Sequence, residues 1–158
     1  MYKKLSIIAI AGALSFAGSA AHAVQATVPF TSVVTATCIL TVGTPGVMTS
    51  NALFNGLSST NAGGVAGTVS ALATGAAFKV SAIAPTTFTV APSGGGDNVT
   101  FSAAYRATGA TSAGSTPGNT ETTLNSGLTN VSVDLSAAKS AGNYTAGAYA
   151  AEVIVRCE

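Results

Sequence analysis

The chain has 158 residues, the length of one ordinary domain. Charged residues make up 7% of it, against roughly a quarter in typical soluble proteins, while hydrophobic residues make up 47%. The formal net charge of +1 leaves no basic excess for binding nucleic-acid phosphates, and the apolar content does not fit an intrinsically disordered chain.

Residues 1–23 have the pattern of a secretory signal peptide. Lys3 and Lys4 provide a positive start, and a short apolar run follows at residues 5–17. A small-x-small cleavage site, Ala21-His22-Ala23, comes after this run. A membrane anchor is the alternative, but the apolar run is too short to span a bilayer comfortably. Cleavage would leave a secreted chain of 135 residues that starts at Val24 and has a formal net charge of −1.

The mature chain begins with a long run in which apolar and polar residues alternate. Period 2 persists for 19 residues, from Val24 to Val42, whereas strands usually contain about 5 to 6 residues. One strand of this length would extend about 60 Å, and a domain of ~135 residues, with a radius of gyration of about 14 Å, cannot cover it. Either the run bends near residues 29–32 into two strands of one sandwich, or residues 24–30 form an arm that inserts into a neighbouring subunit. The apolar side of this arm would consist of Val24, Ala26, Val28 and Phe30.

Short alternating segments separated by Gly, Pro, Asn and Ser predict an all-β domain. The spacing of the segments favours a β-sandwich over a parallel sheet with crossover helices. Val131, Val133 and Leu135 are expected to share one face, and residues 94–96 and 108–123 are predicted turns or loops. In chain order, the predicted strands are residues 65–72, 76–84, 86–90, 98–105, 128–135 and 148–157.

The last predicted strand ends at the second of the two cysteines, Cys157, and the first is Cys38. In a secreted chain both would meet an oxidising compartment. They could form one intramolecular disulfide that closes a loop of 120 residues. The alternatives are two buried free thiols or a bond between chains. The apolar face of this strand would consist of Tyr149, Ala151, Val153, Val155 and Cys157.

The mature sequence offers almost no catalytic chemistry. The one His of the chain would leave with the signal peptide, and with it the usual proton shuttle and the commonest metal ligand. Asp97 and Asp134 are isolated acids in small polar surroundings, and no group of ligand residues has metal-site spacing. The sequence therefore predicts no enzyme activity, no catalytic residue, no cofactor and no metal site.

Three stretches resemble subunits of chaperone–usher fimbriae, including the spore-coat-U-like domains of the archaic branch. They are VPFTSVVTATCILTV at residues 28–42, ALFNGL at 52–57 and LTNVSVDLSAAKSAGNYTAGAYAAEVIVRC at 128–157. The first is similar to the family's first strand with its cysteine, and the second to a short apolar-Phe-Gly segment. The third looks like the penultimate strand, a turn and the last alternating strand. The chain departs from the family in placing its second cysteine at position 157, because family members usually carry it on the strand that follows the first.

The resemblance implies an immunoglobulin-like β-sandwich that lacks its last strand. Residues 1–23 would be the signal peptide, 24–33 a donor-strand arm and 34–158 the pilin-like domain. In the family, a periplasmic chaperone fills the exposed groove until the arm of the next subunit replaces it at an outer-membrane usher. The arm would present Val24, Ala26, Val28 and Phe30, and the groove-lining strand that the chaperone recognises would present Tyr149, Ala151, Val153 and Val155.

The implied function is that of a structural subunit of a bacterial surface fimbria. Such a subunit would be secreted through the periplasm, would polymerise by donor-strand exchange and would support adhesion or biofilm formation. Its partners would be copies of itself or related subunits, the chaperone and the usher, but neither nucleic acid nor metal. The alternative is a self-complete secreted β-sandwich that binds glycans as an adhesin. The sequence also leaves open whether the arm inserts in trans or folds back in cis.

Overall fold

The computed structural model describes residues 24–75 and 77–158. The predicted signal peptide, residues 1–23, lies outside the described residues. The chain divides after Ser32 into two parts, residues 24–32 and Val33–Glu158.

Antiparallel strands in two sheets make up the second part, which confirms the predicted all-β sandwich. Within the described residues the strands are β1 (Cys38–Val42), β2 (Thr49–Ser50), β3 (Gly56–Ser58), β4 (Gly67–Ala73), β5 (Lys79–Ile83), β6 (Val99–Gly109), β7 (Ala113–Pro117), β8 (Thr122–Thr123), β9 (Gly127–Lys139) and β10 (Ile154–Cys157).

The long strand β9 is the centre of a seven-stranded sheet. It pairs with β6 along one edge and, along the other edge, first with β4 and then with β3. The outer positions belong to β7 beside β6, to β1 beside β4, and to β2 beside β3. The second sheet has three strands in the order β10–β5–β8.

The core lies between the two sheets. Along β9, Val131, Val133 and Leu135 are buried and alternate with more exposed residues, as the sequence predicts. Val131 and Val133 pack against Val80 and Ala82 of β5, which come from the opposite sheet. Burial of each such valine stabilises the fold by about 1.5–3 kcal/mol relative to exposure, so this contact is a main source of cohesion between the layers.

Tyr105 adds a polar connection between the layers. This residue of β6 is fully buried. Its hydroxyl lies 2.8 Å from the carbonyl oxygen of Thr120, 3.1 Å from that of Val80 and 2.6 Å from the Thr122 side-chain oxygen. A buried hydroxyl needs such partners, because an unpaired one costs about 1–3 kcal/mol.

Two predictions for the middle of the chain are wrong. Residues 86–90 form no strand, because Val90 makes only an isolated bridge with Ala150 and no ladder continues from it. The Phe88 ring in this segment packs against other aromatic rings. The predicted loop at 108–123 contains β7 and β8. Strand β7 is rich in Gly, Ser and Thr and forms through its backbone ladder with β6, which requires no apolar alternation.

The two predicted terminal strands are shorter than expected. Residues 24–37 form no strand, neither as one continuous strand nor as two strands with a bend, and pairing with β4 begins at Cys38. The last strand, β10, starts at Ile154 instead of residue 148 and pairs with β5 alone. Alternation marks where a strand can form, but a strand also requires a neighbour for its backbone groups.

Candidate functional site

An open groove runs between the edges of the two sheets. Its volume is about 1180 Å³, which exceeds the roughly 300–1,000 Å³ of a typical small-molecule pocket. One wall is the inner face of the large sheet, and the other is the C-terminal segment from Tyr144 to Val155. The inner-face residues are Val42, Leu57, Val69, Val133 and Leu135.

Unpaired strand edges border this groove on both sides. Among the described residues, β1 pairs only with β4, and β10 pairs only with β5. Val42 at the end of β1 and Val155 in β10 both line the groove. The Val42 side chain is 78% exposed, whereas Cys38 and Leu40, which point to the same face of β1, are half-buried. An unpaired edge leaves a row of N–H and C=O groups that can pair with another strand.

A disulfide joins the two border strands at one end of the groove. Cys38 is the first residue of β1 and Cys157 is the last residue of β10, and their Cα atoms are 6.4 Å apart. The ladder between β5 and β10 continues one residue further, because Glu158 and Lys79 exchange both backbone hydrogen bonds. We call this end, where the bond links β1 to β10, the disulfide end.

Aromatic rings form the other end of the groove. Phe88 makes edge-to-face contacts with Phe101, Tyr144 and Tyr149, with ring centroids 4.8, 6.1 and 5.1 Å apart, respectively. Tyr144 and Tyr149 line the groove, and so does Phe54, whose backbone carbonyl accepts a hydrogen bond from the Tyr144 backbone N–H. We call this the aromatic end. Such ring pairs contribute about 0.5–1.5 kcal/mol beyond the burial of their area.

Tyr144 has an unusual environment at this end. Its hydroxyl is buried and has no hydrogen-bond partner among the described residues. The Lys139 ammonium lies 5.3 Å from the centroid of its ring, within cation–π range. Burial, and secondarily the neighbouring Tyr149, raise the pKa of Tyr144 above the usual tyrosine value of 10.0.

The predicted arm residues are exposed. Residues 24–32 carry no strand, and Val24, Val28 and Phe30 have exposed fractions of 93%, 68% and 93%. Ala26 is exposed as well. The apolar side chains of residues 24–30 are therefore exposed to solvent.

The other predicted site residues lie together. Tyr149, Ala151, Val153 and Val155 all line the groove, and Cys38 is bonded to Cys157. Sequence reasoning missed Tyr144 and the opposite wall, in particular Leu57 and Val69. The alternation in β9 placed Val133 on one face with Val131 and Leu135, but nothing in the sequence indicated that part of this face would stay uncovered.

In residues 24–75 and 77–158, no group of three or more potential ligand side chains could hold a metal ion. No helix in the described part of the chain is long and apolar enough to cross a membrane. Comparisons with family models, with curated proteins and with solved structures found no match.

Proposed function

We propose that this chain is a structural subunit of a bacterial surface fimbria and that it polymerises by donor-strand exchange. One observation carries the proposal: a groove bordered by two unpaired strand edges occurs in the same chain as an exposed segment with strand alternation. The fold would then be an immunoglobulin-like sandwich that is complete only when the arm of another copy occupies the groove.

The chemistry of the arm and of the groove is complementary. In an extended arm, Val24, Ala26, Val28 and Phe30 point to one side, and Gln25, Thr27 and Pro29 point to the other. The apolar side would contact the valine and leucine walls, while the arm backbone would pair with the free edge of β10. Full burial of each valine or phenylalanine would contribute about 1.5–3 kcal/mol, and the backbone hydrogen bonds to β10 would add to this.

The disulfide that joins the two border strands would set the direction of insertion. An arm from another copy is followed by the rest of that copy, so its C-terminal residue must lie at the open aromatic end. Phe30 would then lie near Phe54 and Tyr144, and Val24 would lie toward the disulfide. Since β10 runs toward Cys157, the arm would be antiparallel to β10. An arm folding back in cis would have to reverse within residues 31–37 and would run parallel to β10.

The open groove also accounts for the proposed partners. A large apolar surface beside two unpaired edges is a hazard for aggregation before assembly. A periplasmic chaperone that covers the groove, recognising the C-terminal segment with Tyr149, Ala151, Val153 and Val155, would remove this hazard until an outer-membrane usher delivers the next arm. The product would be a cell-surface fibre that supports adhesion or biofilm formation.

Two neighbouring substitutions on opposite sides of the extended arm test the proposal. Val28→Asp places a charge on the proposed groove side, and Thr27→Asp places the same charge on the opposite side of the same segment. We expect Val28→Asp to abolish the ladder of polymers on an unheated SDS gel and Thr27→Asp to retain it. Equal ladders from both variants would refute the proposal. Monomers from the unsubstituted protein would favour a self-complete, glycan-binding sandwich, which a glycan array would then test.

A further inference from the structure

The outer face of the large sheet carries one apolar row in otherwise polar surroundings. Ile39 of β1, Leu72 of β4 and Leu128 of β9 lie side by side in register. Their exposed fractions are 55%, 41% and 53%. Neighbouring strands are about 4.8 Å apart, so the three side chains form a continuous strip about 10 Å wide. We call these three residues the apolar row.

The next outward-facing row shows that this composition is specific to the end of the sheet. It consists of Thr41, Ser70 and Asn130, and the Ser70 hydroxyl donates a hydrogen bond of 3.0 Å to the Asn130 side chain. Thr68 and Ser132 pair in the row after that. The apolar row lies only one residue from the Cys38 end of β1, where the chain enters the sheet.

A second exposed apolar pair lies at the opposite end of the sheet. Leu53 and Phe54 are 69% and 57% exposed in the loop that leads into β3. That strand pairs with β9 from Ala138 to Ser136, and the ten residues of β9 between positions 128 and 138 correspond to about 34 Å of strand.

The loop that presents this pair is held in place and is strained. The Asn51 side-chain amide donates a hydrogen bond of 2.7 Å to Asn55, and its oxygen accepts bonds from the backbone N–H groups of Asn55 and Gly56. Phe54 has a φ of +52°, a left-handed conformation that bulky residues rarely adopt. Strain of this kind persists only where the surrounding structure enforces it, and it points to a function of the side chain so displayed.

We propose that the apolar row of one copy packs against Leu53 and Phe54 of the copy that receives its arm. This inference rests on the proposed donor-strand exchange. If residues 24–30 occupy the neighbouring groove, residues 31–37 are the connection to β1, and seven residues span at most about 25 Å. The aromatic end of that groove, which includes Phe54, is therefore tethered within reach of Ile39, Leu72 and Leu128. The contact would make the fibre joint stiffer than a flexible tether would allow.

Cysteine cross-linking of the secreted full-length protein tests the contact. The test variant carries Leu53→Cys and Leu128→Cys, and the control carries Leu53→Cys and Ser102→Cys. Ser102 is exposed on β6 opposite Ser136, eight residues along β9 from Leu128. Both variants are oxidised mildly, and each is run unheated and boiled on a non-reducing SDS gel. We expect both to show a ladder when unheated, and only the test variant to keep a ladder after boiling.

Three results would overturn the inference. A normal unheated ladder that disappears on boiling in both variants would mean that arm exchange occurs without contact between these surfaces. Boiled dimers from a protein that carries only Leu128→Cys would mean that the apolar row of one copy packs against the apolar row of another. Absence of the unheated ladder from the unsubstituted protein would refute donor-strand exchange itself and, with it, this contact.

Discussion

Cys38 and Cys157 are bonded to each other across 119 positions of sequence, and so the first and last strands of the domain are joined. The two strands belong to different sheets and each has a free edge beside the groove. The bond therefore fixes one end of an otherwise open gap between layers. It holds the two border strands in position beside the groove.

Removal of this bond should lower the stability of the domain substantially. In the chain-entropy model, a disulfide that closes a loop of about 120 residues contributes about 5 kcal/mol by restricting the unfolded chain. We expect the Cys38→Ala/Cys157→Ala variant to lose about 2–5 kcal/mol in the free energy of unfolding, measured by urea denaturation of the non-polymerised protein. A loss below about 0.5 kcal/mol would contradict a structural role for the bond.

Tyr105→Phe should weaken the connection between the two sheets. The substitution removes the hydroxyl that lies within hydrogen-bonding distance of Thr120, Val80 and Thr122 and keeps the ring in the core. Since the buried carbonyl of Val80 loses this neighbour and the core loses a buried polar contact, we expect a loss of about 1–3 kcal/mol in urea unfolding. Tyr149→Phe is the matched control, because the Tyr149 hydroxyl bonds the exposed Thr145 carbonyl, and its loss should be smaller. Equal losses would argue against the inter-sheet role.

Tyr144 should make the domain sensitive to alkaline pH. The pKa of Tyr144 is raised in the folded state, so above pH 10.0 the unfolded chain releases this proton more readily than the folded one. Stability should therefore fall as the pH rises above about 10 and through the folded pKa. The exposed Lys79–Glu121 pair, in which Glu121 raises the pKa of Lys79, loses its attraction over the same range and acts in the same direction.

The Tyr144→Phe variant separates these two contributions. It removes the titrating group and also the buried hydroxyl that lacks a partner, so we expect stability at neutral pH to be unchanged or higher. Its stability should decline less between pH 9 and 11 than that of the unsubstituted protein. Parallel declines in the two proteins would show that Tyr144 does not cause the alkaline sensitivity.

Much of the sandwich could be predicted from alternation alone. Strands β4, β5, β6 and β9 occur where apolar residues alternate between turn signals, and Val131, Val133 and Leu135 point inward as expected. The sequence was less informative where backbone pairing rather than side-chain burial determines the strand. Strand β7 has almost no apolar side chain, while residues 86–90 have an alternating pattern but no continuous ladder.

Only one wall of the candidate groove, the C-terminal segment, could be predicted from the sequence. Alternation placed Tyr149, Ala151, Val153 and Val155 on one face, and the resemblance to fimbrial subunits implied that this face lines a groove. All four residues line the groove. The groove itself depends on which neighbour is missing, and no local pattern records a missing neighbour. The position of Tyr144 beside Phe54 likewise results from long-range packing of two loops.

Deletion of residues 24–30 tests the central claim most directly. The intact protein and the shortened version are compared on a non-reducing SDS gel, each unheated and boiled. Donor-strand exchange predicts a ladder from the intact protein that collapses to monomer on boiling and that is absent from the shortened version. A ladder of equal strength from the protein without residues 24–30 would show that the arm is not the donor strand.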